Sequence, residues 1–438
     1  MQNSSDPTLD SAKSGLAAVQ YLRSPQAIRE RCGELFKLCL DDQLQFRCDL
    51  SQLDAVADYV IQVIQQNYPD WQVPFHSRWR HFQAGGIDRL AQLAPRWQQD
   101  PLEYARIQFD LAVTSVLLDA GAGTAWRYRE PATGKLFQRS EGLAVASYDL
   151  FLSGSFSSGP TRLMADAAGL QNLTVAALSQ GFQLSESNPL VGLEGRLKLL
   201  QQLGLALAEA PALFGTTDPR PGGLVDYLTA RALGGQMGGQ MGGQISATDV
   251  FAAVLAGFSP IWPGRVTLAG ENLGDVWQHS KLPIQPPDQL PDQPLGISLG
   301  SQLVPFHKLS QWLTYSLLEP LQQLGFEITN LDQLTGLAEY RNGGLCLDLG
   351  LLQPKQPDIL SQPHRPDAEV IVEWRALTIL LLDQIAAKIR EKLDLDANSL
   401  PLVKVLEGGT WAAGRKIAAT LRADGRPPLQ IISDGTVF

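Results

Sequence analysis

The chain has 438 residues, of which 44% are hydrophobic and 18% charged, with a formal net charge of -10 at pH 7. That balance excludes a disordered chain and allows a sizeable buried core. The negative charge excludes nucleic-acid binding through a broad basic surface, while a local group of arginines could still hold a phosphate.

Residues 1–22 begin with a polar stretch from Met1 to about Gly15 and are expected to form a flexible tail. Ser24-Pro25 then reads as an N-cap followed by proline in the first turn, leading into Ile28, Cys32, Leu35, Phe36 and Cys39. Ser51 opens a second helix with Leu53, Val56, Ala57, Val60 and Ile64 on one side, stopped at Pro69. Asp100-Pro101 opens a third, Leu102 to Ala120, ended by Gly121. Apolar nearly all round from Leu111 to Leu118, it belongs at the centre of the core. Further helices are predicted at 141–152, 193–209, 247–257, 308–319, 369–392 and 411–421. Strand signals are few and short: Val266–Leu268, Leu345–Leu349 and Leu429–Ile432.

The expected class is mainly α-helical with a few short β-hairpins, either a single large globular unit or two closely packed halves. One domain is expected over 23–438, interrupted by low-complexity loops near 234–244 (GGQMGGQMGGQ) and near 281–298, which opens KLPIQPPDQLPDQP. No apolar run reaches the roughly 18 residues of a membrane span, so no membrane association is expected. Cys32, Cys39, Cys48 and Cys346 contain no C-x-x-C pair. With no signal peptide read at the N-terminus, a cytoplasmic protein with reduced thiols is expected.

Several stretches mix arginine, acidic, aromatic and glycine residues too densely for ordinary surface. They are HSRWRHFQAGGIDR (76–89), LDAGAGTAWRYREPATGKLFQRSEG (118–142), PIWPGR (260–265), PFHKLSQWLTYSLLEP (305–320), EYRNGG (339–344), VEWRALT (372–378), EGGTWAAGR (407–415) and the terminal SDGTVF. On these, together with SEGLAVAS and NPLVGLEGR, the chain resembles the uracil catabolism protein 4 family from about Pro25 to Phe438. The resemblance implies a part in breaking down uracil by a route in which the base is first converted to its ribonucleotide. Ring opening on that route gives a ribosyl-urea-type intermediate. A small-molecule ribosyl-urea or nucleotide-derived substrate is therefore expected, with no nucleic-acid partner and no cofactor, and the oligomeric state is left open. The resemblance carries no residue roles.

Those roles must come from chemistry. Releasing urea from a ribosyl-urea cleaves a C1'–N bond through an oxocarbenium-like transition state, which calls for a carboxylate beside the sugar. A second group should protonate the leaving ureide, an arginine fork or helix N-terminus would hold a phosphate, and aromatic faces would pack on sugar or ureide. The catalytic candidates are Asp119, Glu141, His76 and His307. Asp119 stands where the negative end of a helix dipole acts on it, and it either faces substrate or hydrogen-bonds the glycine turn. Glu141 is either a first-turn helix residue or a pocket carboxylate. The binding candidates in the first half are Arg78, Trp79, Arg80 and Trp126. Lys308, Trp312 and Tyr315 follow, then Glu339, Arg341, Asn342 and Asp348 around a glycine-rich turn. Glu373, Arg375, Glu407 and Arg415 complete the set; Thr410 is a plausible N-cap behind glycines that could expose N–H groups to an anion.

Two of the five histidines, His76 and His307, share the tetrapeptide V-P-F-H. Each is either a satisfied core residue or a pocket group. A metal-water hydrolase that cleaves the ureide through His76, His307 and a carboxylate such as Asp119 is the alternative, although no established metal motif is present. A non-catalytic binding partner in the same pathway is the third reading.

Overall fold

The computed structural model describes residues 7–94, 100–159, 162–232, 242–262, 266–283 and 300–432. Most of the two low-complexity loops, the end of PIWPGR and the whole of SDGTVF lie outside them. The protein is mainly α-helical, and among the described residues every sheet has two short strands. No helix among the described residues is long and apolar enough to cross a membrane. The chain divides into two compact units. Of the described residues, the first unit takes those up to Phe75, those between Pro263 and Lys308, and Asp332–Ile432. The second takes His76–Trp262 and Leu309–Leu331.

The first unit is built around the Glu369–Leu393 helix, buried on most sides from Val370 to Ile389. It packs on the Pro25–Leu40, Leu53–Asn67 and Tyr340–Asp348 helices. Ser24 caps the Pro25–Leu40 helix as expected, its Oγ accepting from the Ala27 amide at 3.1 Å, with Pro25 in the first turn. Antiparallel pairs join Phe46–Cys48 to Leu352–Pro354 and Val276–Gln278 to Leu303–Pro305.

Three expectations are corrected here. A flexible tail through residue 22 was expected, but Pro7–Leu22 is helical, because Val19 and Leu22 bury against Leu273, Val276 and Leu303. The Leu345–Leu349 strand is instead part of the Tyr340–Asp348 helix. A short apolar run is ambiguous, and here the cap decides: Glu339 accepts from the Arg341 and Asn342 amides at 2.8 and 2.5 Å. Thr410 is no N-cap, because Leu406–Thr410 forms a π-helical turn running directly into the Trp411–Leu421 helix. Its hydroxyl donates to Asn342 Oδ1 at 2.9 Å, and Gly408 abuts the Val73 and Tyr68 side chains, so the glycine serves packing.

The Trp411–Leu421 helix also crosses the Tyr340–Asp348 helix at Gly414, where an added Cβ would collide with the Arg341 carbonyl. Gly414→Ala is expected to destabilise the protein by about 1–3 kcal/mol through overpacking. Denaturant unfolding checks this as a lower midpoint at unchanged slope.

The second unit centres on the Pro101–Leu117 helix. Asp100 caps it by accepting from the Glu103 amide at 2.9 Å, Pro101 fills the first turn, and every residue from Ile107 to Leu117 is buried. Within that apolar helix Asp110 is satisfied by the Gly222 amide at 2.7 Å, the Ala165 amide at 3.2 Å and Arg220 Nε at 2.8 Å. The Arg139–Leu152 helix and the short Arg78–Phe82 helix pack against it and against each other. This three-way contact positions the candidate site.

Candidate active site

The 76–89 stretch folds as a short helix because Ser77 is extended and the apolar Trp79 and Phe82 turn inward. That places Arg78 wholly inside the second unit, between the Pro101–Leu117 and Arg139–Leu152 helices. A buried guanidinium requires acceptors. Arg78 Nε donates to Ser115 Oγ at 2.8 Å, and Nη1 donates to Asp119 Oδ2 at 2.7 Å. Ser115 Oγ lies 2.6 Å from Ser147 Oγ. Asp119 sits just beyond the central helix, and its other oxygen accepts from Ser140 Oγ at 2.9 Å. Its side chain keeps 7% exposure, and both Ser140 and Glu141 are half-buried, so a carboxylate rim stands above a buried cation.

Burial pushes the Arg78 guanidinium below its ordinary value, opposed by the Asp119 and Glu141 carboxylates. Arg196 acts from the other side. It donates to the Leu118 and Ala120 carbonyls at 2.9 and 2.7 Å, so a cation meets the negative end of the helix. Burial pushes its guanidinium down to about 10, again opposed by Asp119.

Trp312, from the Lys308–Gln323 helix, lies beneath the Arg78 guanidinium at 5.6 Å. His81 meets the same indole edge-on at 5.6 Å, and His76 lies 6.4 Å from it. Ser77 and Arg80 both donate to Glu319, Arg80 at 2.9 Å. Arg78 Nη2 and Trp312 Nε1 are buried donors with no hydrogen-bond acceptor among the described residues. Native interiors leave few such groups unpaired.

The structure thus brings Arg78, Asp119, Glu141, Trp312 and His76 into one region of the second unit. Trp79 and Arg80 brace it, Trp79 by donating to the Ser316 carbonyl at 2.6 Å. Tyr315 is buried on the same helix as Trp312. Trp126 is a core residue, its Nε1 bonded to the Phe182 carbonyl at 3.0 Å. Sequence reasoning missed Ser115, Ser147, Ser316 and Glu319, which look like small or solvated helix residues, and Arg196, whose NPLVGLEGR context was the available signal.

The remaining candidates belong to the first unit. His307 has a left-handed backbone (φ 47°), and its Nε2 lies 2.8 Å from the Leu22 carbonyl. The Lys308 amide and Arg375 both donate to Asp275, the arginine through two bonds of 2.8 Å. Glu373 accepts from the Gln45 amide at 2.8 Å and contacts His279 Nε2 at 3.3 Å. Arg341 donates to the Gly425 carbonyl, and Asp348 accepts from Arg422. Tyr68 donates to Glu407 at 3.5 Å, and Arg415 lies over Trp411. Glu339 and Asn342 make the helix-cap and Thr410 bonds already described. Among the described residues, no three His, Cys, Asp or Glu side chains gather as a metal site.

Burial holds the His307 imidazole below its ordinary value, while its bond to the Leu22 carbonyl acts the other way. A histidine kept neutral in the fold gains protons on unfolding, so its stabilising contribution is full above about pH 6.5 and shrinks as pH falls below that. His307→Gln, which retains an N–H donor, is expected to flatten the fall in unfolding free energy between about pH 7.5 and 5.5. Denaturant midpoints across that range would check it.

Comparison with known proteins follows the same chain from end to end. A family profile described as "Protein of unknown function (DUF1688)" matches residues 21–438. "Uracil catabolism protein 4" of Lachancea kluyveri is 41% identical over 450 residues, covering 96% of this chain and 99% of its own. "Protein urg3" of Schizosaccharomyces pombe is 38% identical over 431 residues, with the same 96% and 99% coverage. The resemblance carried by the motifs is confirmed.

Proposed function

The chain belongs to the DUF1688 family, in which one relative is named for uracil catabolism, and from that premise we propose that this protein acts in uracil catabolism. Its reaction is hydrolysis of the N-glycosidic bond of a ribosyl-urea-type intermediate. The observation that carries this reading is the rim formed by Asp119 and Glu141 above Arg78, with Asp119 fixed by Arg78 and Ser140.

In this mechanism Asp119 faces C1' and stabilises the positive charge that develops as the C1'–N bond breaks. Arg78 and Ser140 hold that carboxylate still, so little reorganisation is needed during the reaction. Glu141 delivers a proton to the departing ureide nitrogen, and water adds at C1' to leave free sugar and urea.

Purified protein should be incubated with synthetic ribosyl-urea and, separately, its 5'-phosphate, and the products resolved by proton NMR. Urea with an intact free sugar is the expected outcome. Ammonia and carbon dioxide would point to ureide hydrolysis and sink the glycosidic reading. Tight binding of both compounds without turnover would make the protein a binding partner in the pathway.

A further inference from the structure

Cys39 stands in the last turn of the Pro25–Leu40 helix, and Cys48 ends the Phe46–Cys48 strand. Their sulfur atoms are 3.3 Å apart, close enough for one thiol to hydrogen-bond the other, and Cys39 Sγ is also 3.4 Å from the Phe46 carbonyl. Both are free thiols, as are Cys32 and Cys346. The latter two are wholly buried and Cys39 is 3% exposed, whereas Cys48 is half-buried and gives the pair its access to solvent.

We propose that Cys39 and Cys48 form a reversible oxidation site, closing to an intrachain disulfide when a hydroperoxide is present. The contact between the two sulfurs makes them unlike. The Cys48 thiol hydrogen-bonds Cys39 and pulls its proton affinity below the ordinary thiol value, while the same bond and burial push Cys48 up. Burial pushes Cys32 up as well, and Cys346 to about 12. One thiol of the pair therefore ionises ahead of Cys32 and Cys346.

The thiolate of the pair attacks one oxygen of hydrogen peroxide, the O–O bond breaks, and hydroxide leaves with a proton as water. That sulfur becomes a sulfenic acid. The other sulfur then displaces its hydroxyl, which leaves as water with the second thiol's proton, and the S–S bond forms. Two thiols lose two electrons, and one peroxide becomes two waters. The sulfurs need to close from 3.3 Å to about 2.05 Å. The bond ties off residues 40–47, where the Gln45 amide holds Glu373.

Trypsin makes the test direct, because Lys37, Arg47 and Arg78 separate the two thiols into peptides 38–47 and 48–78. The protein is treated with hydrogen peroxide, remaining thiols are alkylated after denaturation, and the digest is mapped by mass spectrometry without reductant. The expected result is peptide 38–47 disulfide-linked to peptide 48–78, with Cys32 and Cys346 alkylated. Dithiothreitol should restore four alkylatable thiols. Cys39→Ser and Cys48→Ser should each leave no linked peptide, and dimedone should capture the sulfenic acid on the remaining cysteine in at least one of them. A cross-link to Cys346, a cross-link between two chains, or peroxide treatment that leaves Cys39 alkylated would each overturn the proposal.

Discussion

Asp119→Asn is expected to lower kcat/KM for ribosyl-urea hydrolysis by about 10³-fold, the usual scale for removing a charge aimed at a developing one. The substitution also touches the fold, because Asp119 is the ion-pair partner of the wholly buried Arg78. Removing one partner of a buried pair costs about 3–5 kcal/mol in the extreme. An asparagine oxygen still accepts from Arg78, so the loss should fall short of that. Two measurements separate the effects: steady-state kinetics, and the denaturant midpoint of the same preparation. Turnover within a few fold of wild type in a folded variant would remove Asp119 from the chemistry. Ser140→Ala keeps the charge and deletes one hydrogen bond, worth about 1 kcal/mol, so roughly a fivefold loss is expected.

The largest effect on stability is expected at Asp275. This carboxylate receives both Arg375 bonds, the Trp277 indole N–H at 2.7 Å and the Lys308 amide at 3.0 Å. Asp275→Leu leaves the guanidinium of Arg375, itself 1% exposed, without its counter-ion. A loss of about 3–5 kcal/mol is expected. Chemical denaturation would check it, and the double variant with Arg375→Met should lose less than the two single losses combined. Although burial acts the other way, Arg375 holds the Asp275 carboxyl well below the usual carboxylate range. A depressed folded-state value means that its stabilising contribution is fully present above about pH 4. That contribution is lost only as pH falls further, through the folded value. Wild type should therefore keep this part of its stability through mild acid, whereas Asp275→Leu should show no such dependence.

The helices were legible in the sequence wherever local chemistry sets their ends. Ser24-Pro25 and Asp100-Pro101 mark starts that the structure keeps at Pro25 and Pro101. The apolar run at Leu345–Leu349 failed as a strand because its length suits either state, and the deciding Glu339 cap lies outside the run. Several short strands were illegible because their partners are remote: Phe46 pairs with Pro354. The same limit governs the candidate site. Arg78, Asp119 and Glu141 stand out by residue type, but nothing in the spacing says that Arg78 meets Asp119 and Ser115. Asp275 lies in a stretch with no chemical density and becomes visible only beside Arg375. Serines on apolar helices look like filler until a buried guanidinium is found against them.

The division of the chain bears on the order of synthesis. The first unit joins Phe46–Cys48 to Leu352–Pro354 and needs Trp411–Leu421 against Tyr340–Asp348. A ribosome delivering the chain from its amino end must therefore hold Pro25–Leu40 and Leu53–Asn67 without their principal partner, the Glu369–Leu393 helix, until residue 393 has been added. The described parts of the second unit are complete once Leu331 has emerged. At roughly 5–20 residues per second, the interval from residue 331 to residue 432 lasts on the order of 5–20 s. Stalled nascent chains cut at these two lengths should show protease protection of 101–117 before that of 25–40.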